Sequence, residues 1–317
     1  MSLKKRTPPD KEKTTLSRAK VKDNLWAWFF VLPLLAVFLI FVGIPVFKTV
    51  FYYGFTDYSL LKDPEWVGLA NYKRMFTSDP NMKSVWSATF RIPLYLIPIH
   101  VVWSLIMAYV VYSCRFRLAK FTARVLIYFP VLATTSAVAI AWTYMFNESN
   151  GVINWLLQQV GILEQGENIR WLIDSSSSMW AIVIFSAWKF IGQYFLYYFV
   201  ALQNIPRTYY EAAKLDGASE LQCFFRVTLP LITPTVFFVL MISLVGSLQA
   251  FDEPYFITDG GPGYYTTNAA LYLYRKAFQS YDMGYAAAIA SVLFVIVLIF
   301  TLIQLWSQKK WVVYDYD

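Results

Sequence analysis

The chain reads as an all-α, polytopic membrane protein with six transmembrane helices, and three observations predict that class. Of its 317 residues, 58% are hydrophobic and only 15% charged, a balance rare in a soluble domain. Six apolar segments are each long enough to cross a hydrocarbon core of about 30 Å. The basic residues gather in a tail and in short loops between those segments, as an integral membrane protein requires.

Residues 1–24 form a polar tail with eight Lys/Arg. Residues 25–47 follow as an apolar run that spans about 35 Å at about 1.5 Å per residue. The run is longer than a secretory h-region and no small-residue cleavage site follows it, so it reads as an uncleaved first span. Five further spans are predicted at 86–113, 124–146, 179–202, 231–251 and 285–306. Pro130 interrupts the third, and the fifth and sixth are rich in small residues. The expected organisation is a tail (1–24), a first span (25–47), a five-helix core (86–306) and a C-terminal tail (307–317). With the N-terminus inside, the inner segments carry 17 Lys/Arg and the outer loops eight. That bias places both termini in the cytoplasm.

Net charge is +7. Nucleic acid is a poor reading of it, because the charge follows the loops of a membrane protein. Cys114 and Cys223 both fall at polar ends of apolar segments, where a reduced, structural role is expected. No catalytic Ser/His/Asp set and no metal-ligand cluster is visible. His100, the single histidine, lies mid-span and reads as a hydrogen-bonded interior group.

One polar stretch stands apart, residues 210–234, between two apolar segments. Pro206 sits at a plausible helix start and Glu211, Ala212, Ala213, Lys214 and Leu215 are helix formers. Gly217 interrupts, and a second short helix is expected over 218–227, before Pro230 opens the next span. A helix–Gly–helix between spans is a shape suited to docking outside the membrane.

Glu211-Ala212-Ala213, Asp216-Gly217-Ala218 and Leu229-Pro230 resemble the EAA loop of inner-membrane permease subunits of binding-protein-dependent ABC importers. Other marks stand in order: Gly68-Leu69-Ala70-Asn71-Tyr72, Gln203-Asn204-Ile205-Pro206, Thr258-Asp259-Gly260-Gly261-Pro262 and Gly284-Tyr285-Ala286-Ala287-Ala288. Together they are similar to the carbohydrate-uptake branch, of MalF/UgpA/LacF type, over nearly everything after the tail. The resemblance implies the type I importer (MetI-like) permease fold in a bacterial inner membrane. It implies an EAA coupling loop over 206–228 whose Glu211, Ala212, Ala213, Asp216, Gly217, Leu229 and Pro230 meet an ATPase. The implied partners are a second, homologous permease subunit, two ATP-binding cassette subunits, an extracytoplasmic binding protein, a sugar and the lipid bilayer. Asp259, Gly260, Gly261 and Pro262 are expected to face the binding protein. The chain has no G-x-x-x-x-G-K-[ST], so it is expected to bind no cofactor, with ATP and Mg used by the partner ATPase.

Polar groups within spans point to the substrate path. Lys189 and Gln193 share one face of the fourth span, with Phe190, Tyr194 and Tyr197 as an aromatic stripe. Aromatic rings with amides and hydroxyls suit the apolar faces and polar rims of sugars. Ser243, Ser247 and Ala250 share a face of the fifth span, with Gln249 and Asp252 nearby. The sugar site of the maltose permease that the chain resembles implies positions close to Lys189, Gln193, Ser243, Ser247 and Ala250, with some of the polar residues used there replaced here by small ones. The competing structural reading is close helix packing, through Ser243-x-x-x-Ser247 and Gly246-x-x-x-Ala250. Arg91, Lys189 and His100 together hint at an anionic sugar, although Arg91 could instead snorkel outward. The alternatives are an ABC permease for glycerol phosphate or another small solute and, in a different class, an ion-coupled secondary transporter. The latter calls for midplane carboxylates and repeats; few acidic residues and no repeat are seen.

Overall fold

The computed structural model describes residues 18–313, with side chains from Trp26 onward. Most of the basic tail therefore lies outside the described residues. Packing divides the chain into two units, at Tyr52/Tyr53.

The first unit is helical: α1 (Arg18–Phe38), a π-turn over Leu39–Gly43, and α2 (Ile44–Phe51). From Trp26 to Phe47 its apolar side chains, among them Phe29, Phe30 and Phe41, are exposed. A helix apolar on every side and packed on nothing in its own unit is what a lipid-facing span looks like.

The second unit opens with an antiparallel hairpin, β1 (Thr56–Ser59) and β2 (Lys62–Trp66), in which Thr56 pairs with Trp66 and Asp57 with Glu65. The hairpin is the one strand structure among the described residues. Lys62 bridges Asp57 and Glu65 at 3.1 and 2.9 Å across its exposed face. Helices α3 (Ala70–Thr77) and α4 (Met82–Pro98) follow, then a π-turn over Ile99–Trp103 and α5 (Ser104–Ser113). The Gly68–Tyr72 mark now has a structural reason. Asn71 donates to the carbonyls of Gly54 (3.2 Å) and Thr56 (2.9 Å), which pins the hairpin to α3. The glycine and alanines that open the last span do related work. A Cβ at Gly284 would lie 2.1 Å from the Thr56 carbonyl oxygen, and one at Gly54 would lie 3.3 Å from Ala288 Cα.

The third span differs from the expected rod. Helix α6 (Arg117–Leu132) and α7 (Thr135–Met145) are bent by 101°, because Ala133 and Thr134 are extended. Pro130 sits in the last turn of α6, before the break. After α8 (Val152–Gln159), α9 (Ser175–Asn204) runs 30 residues and packs against α4, α5, α6, α7 and the later helix over Thr233–Leu248. It is the centre of the unit, with Phe185, Phe195, Tyr198 and Leu202 fully buried.

Helices α10 (Arg207–Leu215), α11 (Glu220–Cys223) and α12 (Leu229–Leu231) form the polar stretch, with a π-turn over Phe224–Thr228. Helix α13 (Thr233–Leu248) leaves α12 at 66°. Last come α14 (Asp252–Thr258), α15 (Ala269–Tyr274), a π-turn over Arg275–Gln279 and α16 (Met283–Trp311). Among the described residues, four unbroken helices are long and apolar enough to cross a membrane, and there are six spans when each bent pair is counted as one.

Candidate functional site

A cavity of about 210 Å³ opens between α4 with its π-turn, α9, α13 and α14. Its wall combines apolar side chains (Leu96, Phe190, Ile242) with His100, Gln193, Tyr194, Ser247 and Glu253, while Gly246 and Ala250 leave room. Local backbone geometry and neighbouring side chains place these polar groups. The π-turn after Pro98 inserts one extra residue and directs His100 inward, a feature frequent at functional sites. The His100 ring stacks on Tyr194 at 4.4 Å, and its Nδ1 shares a hydrogen bond with Ser243 Oγ at 2.9 Å. Ser247 donates to the Ser243 carbonyl at 2.6 Å, and Gln193 donates to the Tyr197 hydroxyl at 3.0 Å. Glu253 stands beyond the end of α13, outside the span helices. Burial pushes its carboxyl up to about 7; its own backbone N–H opposes the rise, Asp252 adds to it and Lys189 draws it down.

Of the residues expected on the substrate path, Gln193, Tyr194, Ser247 and Ala250 line this cavity. Ser243 lies behind the wall and holds His100. Lys189 and Gln249 do not line it. Gln249 is exposed, because α13 ends at Leu248 and the chain turns. Lys189 is 2% exposed, and its Nζ donates to the carbonyls of Pro130 (2.7 Å), Val131 (3.2 Å) and Ala133 (2.6 Å). Those are orphan carbonyls at the end of α6, where a cation also meets the negative end of the helix dipole. Arg91 is likewise occupied. It donates to the Tyr265 carbonyl at 3.0 Å and stacks over the Tyr265 ring at 3.8 Å. The trio that hinted at an anionic sugar is thus not assembled. Sequence reasoning missed Glu253 and assigned His100 to the interior; an acidic residue just past a span was the available signal.

The polar stretch is a second surface. Gly217 has φ +78, and the N–H groups of Gly217 and Ala218 bond the carbonyls of Lys214 (3.0 Å) and Ala213 (2.9 Å). This is a Schellman end, which glycine serves without strain. Ser219 and Gln222 then form a capping box that starts α11, later than the expected helix over 218–227. Lys214 spans the glycine to reach Glu220 at 3.0 Å, and Tyr210 anchors the first helix through Thr228 Oγ1 at 2.9 Å. Glu211, Ala212, Asp216 and Gly217 are exposed, Ala213 is half-buried, and Leu215 is 89% exposed at the tip. Leu229 and Pro230 lie inward of this surface, on α12 at the foot of the fifth span.

In the loop after α14, Asp259 has φ +45 and pairs with Arg275 at 2.5 Å. A Cβ on Gly260 would lie 2.1 Å from Thr267 Oγ1. Thr266 and Thr267 donate to the carbonyls of Gly261 (2.7 Å) and Gly260 (2.9 Å). Gly260 is therefore needed for the fold of the loop, with Asp259 exposed and Pro262 half-buried.

Comparison with known proteins agrees with this architecture. Residues 84–313 match the family described as "Binding-protein-dependent transport system inner membrane component". The chain is 38% identical over 304 residues to the probable ABC transporter permease protein YesP of Bacillus subtilis strain 168, covering 94% of this chain and 95% of that one. It is 31% identical over 293 residues to the trehalose/maltose transport system permease protein MalF of Thermococcus litoralis, covering 91% and 95%. A chain of the bacterial alginate ABC transporter, crystallised with an alginate-bound periplasmic protein, shares the fold with a TM-score of 0.78 at 21% identity, over 92% of this chain and 96% of that one. With the match spanning more than two thirds of its length, the chain belongs to the binding-protein-dependent transport system inner membrane component family.

Proposed function

We propose that this chain is a transmembrane permease subunit of an ATP-driven importer for a sugar or oligosaccharide. The observation that carries the cargo reading is the cavity beside α9, where the Tyr194 and Phe190 rings stand with the Gln193 amide, the Ser247 hydroxyl, His100 and Glu253. Rings take the C–H faces of a sugar and the polar groups take its hydroxyls. The exposed Glu211–Gly217 segment supports the coupling role. Its small residues permit close approach of an ATPase subunit, and Glu211 offers a carboxylate to a basic partner. In this reading both termini and the 206–228 loop are cytoplasmic, and the loop at 259–262 faces an extracytoplasmic binding protein. The complex has a second permease and two ATPase subunits, which use ATP and Mg. Closure of the ATPases draws the α10–α11 segments together and opens the spans outward. The binding protein then releases sugar into the cavity, and hydrolysis resets the spans.

The test is uptake by the full complex in proteoliposomes, with maltose, trehalose, lactose and arabinotriose as probes and glycerol phosphate as control. ATP-dependent uptake of one of the sugars, lost in Gly246→Trp with the complex still assembled, is the expected result. A bulky ring at Gly246 meets open space, so the substitution fills the cavity. Uptake of glycerol phosphate with none of the sugars transported overturns the sugar reading.

A further inference from the structure

Among the described residues, two polar side chains on the cavity wall keep hydrogen-bonding capacity that no other side chain takes up. His100 is 3% exposed; its Nδ1 is spent on Ser243, and Nε2 is buried without a partner. Glu253 is 7% exposed, and among the described residues no side chain hydrogen-bonds or ion-pairs with its carboxylate. Buried polar atoms are almost always matched, so the open His100 Nε2, beside a buried carboxylate whose one donor is its own backbone N–H, marks where a ligand's own polar groups belong. The nearby cations are unavailable to that ligand. Lys189 holds three carbonyls of the third span, and Arg91 holds Tyr265. An acidic sugar entering here meets a carboxylate and no free cation.

We propose that Glu253 sets the specificity of the cavity, admitting uncharged sugars through hydrogen bonds from their hydroxyls and rejecting carboxylate-bearing ones. The proposal rests on the cavity being the cargo site. Two carboxylates close together in a dry site cannot both ionise, so an acidic sugar must bring a proton with it. The groups that face Glu253 are Asp252 on its own helix, Lys189 and Tyr194 on α9, and His100 on the π-turn. Helix α7, also packed on α14, has no charged side chain, and its Tyr144 is exposed. With the carboxyl of Glu253 raised to about 7 by burial, the sign follows. Above that value Glu253 is ionised, and binding of an acidic sugar weakens by about tenfold for each further pH unit. Below it the discrimination fades. A hydroxyl donates to the ionised form and accepts from the neutral one, so an uncharged sugar is served by both.

The experiment is calorimetric titration of the purified permease–ATPase complex without binding protein, so that the binding protein's own selectivity does not enter. The probes are the neutral disaccharide from the panel that binds and the same disaccharide oxidised at its terminal C6 to a uronic acid. At pH 8 the wild-type complex is expected to prefer the neutral sugar by about tenfold or more. That ratio shrinks at pH 6, and in Glu253→Gln at pH 8 it falls to about threefold or less. A wild-type ratio near one at pH 8, or an unchanged ratio in Glu253→Gln, overturns the proposal. Gly246→Trp separates the two readings. If it abolishes neutral-sugar binding while Glu253→Gln leaves the ratio alone, the cavity stands and the specificity role falls. If neutral-sugar binding survives Gly246→Trp, the cargo reading fails and takes the proposal with it.

Discussion

Lys189→Met removes one ammonium while nearly preserving side-chain volume, and it isolates the means by which the third span is broken. In the wild type, Nζ lies 2.7, 3.2 and 2.6 Å from the carbonyl oxygens of Pro130, Val131 and Ala133. Those carbonyls end α6 just before the chain turns through 101°, and inside a bilayer no water replaces a lost donor. Side-chain hydrogen bonds between spans have measured values of about 0.6–1.7 kcal/mol each. Three of them amount to about 2–5 kcal/mol. Thermal unfolding of the purified complex, followed by tryptophan fluorescence, should therefore show a clear fall in midpoint for Lys189→Met. The surviving folded fraction should bind sugar with nearly wild-type affinity, since Lys189 does not line the cavity. An unchanged midpoint would refute the clamp, and a selective loss of sugar affinity at unchanged stability would return Lys189 to the substrate path.

Other outcomes follow from the same geometry. Gly192 faces the Ile127 carbonyl, where a Cβ would come within 2.2 Å of the oxygen. Gly192→Val should thus lower the yield of folded protein, read as the monodisperse fraction in size-exclusion chromatography; normal yield would show that α6 can back away from α9. Gly217→Trp should leave membrane insertion intact, because the position is exposed and nothing lies within 4 Å of a Cβ there. Uptake and sugar-stimulated ATPase activity of the complex should fall by about tenfold or more, equivalent to about 1.4 kcal/mol of coupling; wild-type transport would contradict the docking role. The Asp79 carboxylate accepts from the hydroxyls of Tyr272 and Tyr285, each at 2.7 Å. Burial raises its pKa, but those phenols, the Asn81 N–H and Lys276 outweigh it and hold the carboxyl below its ordinary 3.8. Its contribution is present above that value and lost as pH falls through the lowered one. Asp79→Asn should therefore destabilise the complex at pH 7 and do so less under acid, measured as unfolding midpoint against pH; a constant difference would refute the assignment.

Much of the fold was legible because bilayer physics writes it in runs of residues. An apolar segment of span length satisfies its backbone only as a helix, and the apolar stretches at 86–113, 179–202 and 285–306 reappear as the unbroken helices Met82–Ser113, Ser175–Asn204 and Met283–Trp311. Composition does not report direction, so 124–146 read as one span although it turns sharply at Ala133–Thr134. The capped break at Gly217 was legible for a local reason: only a residue free to take φ +78 ends that helix and starts the next.

The cavity divides along the same line. Helical spacing put Gln193 with Tyr194, and Ser247 with Ala250, on faces of their own helices. It placed Lys189 and Gln193 on the same face, yet one is spent on a neighbouring helix and the other lines the cavity. Which helix lies opposite α9 decides that, and no local pattern carries the information. His100 and Glu253 show the same dependence. A π-turn and a chain reversal bring residues about 150 positions apart in sequence onto one wall. The sequence by itself determined a six-span helical membrane protein, its capped polar loop and its family marks, because local spacing and the cost of bare backbone in lipid govern those. Only the tertiary structure decided which cations are already spent and which carboxylate remains to meet a ligand, because that depends on contacts between helices distant in the chain.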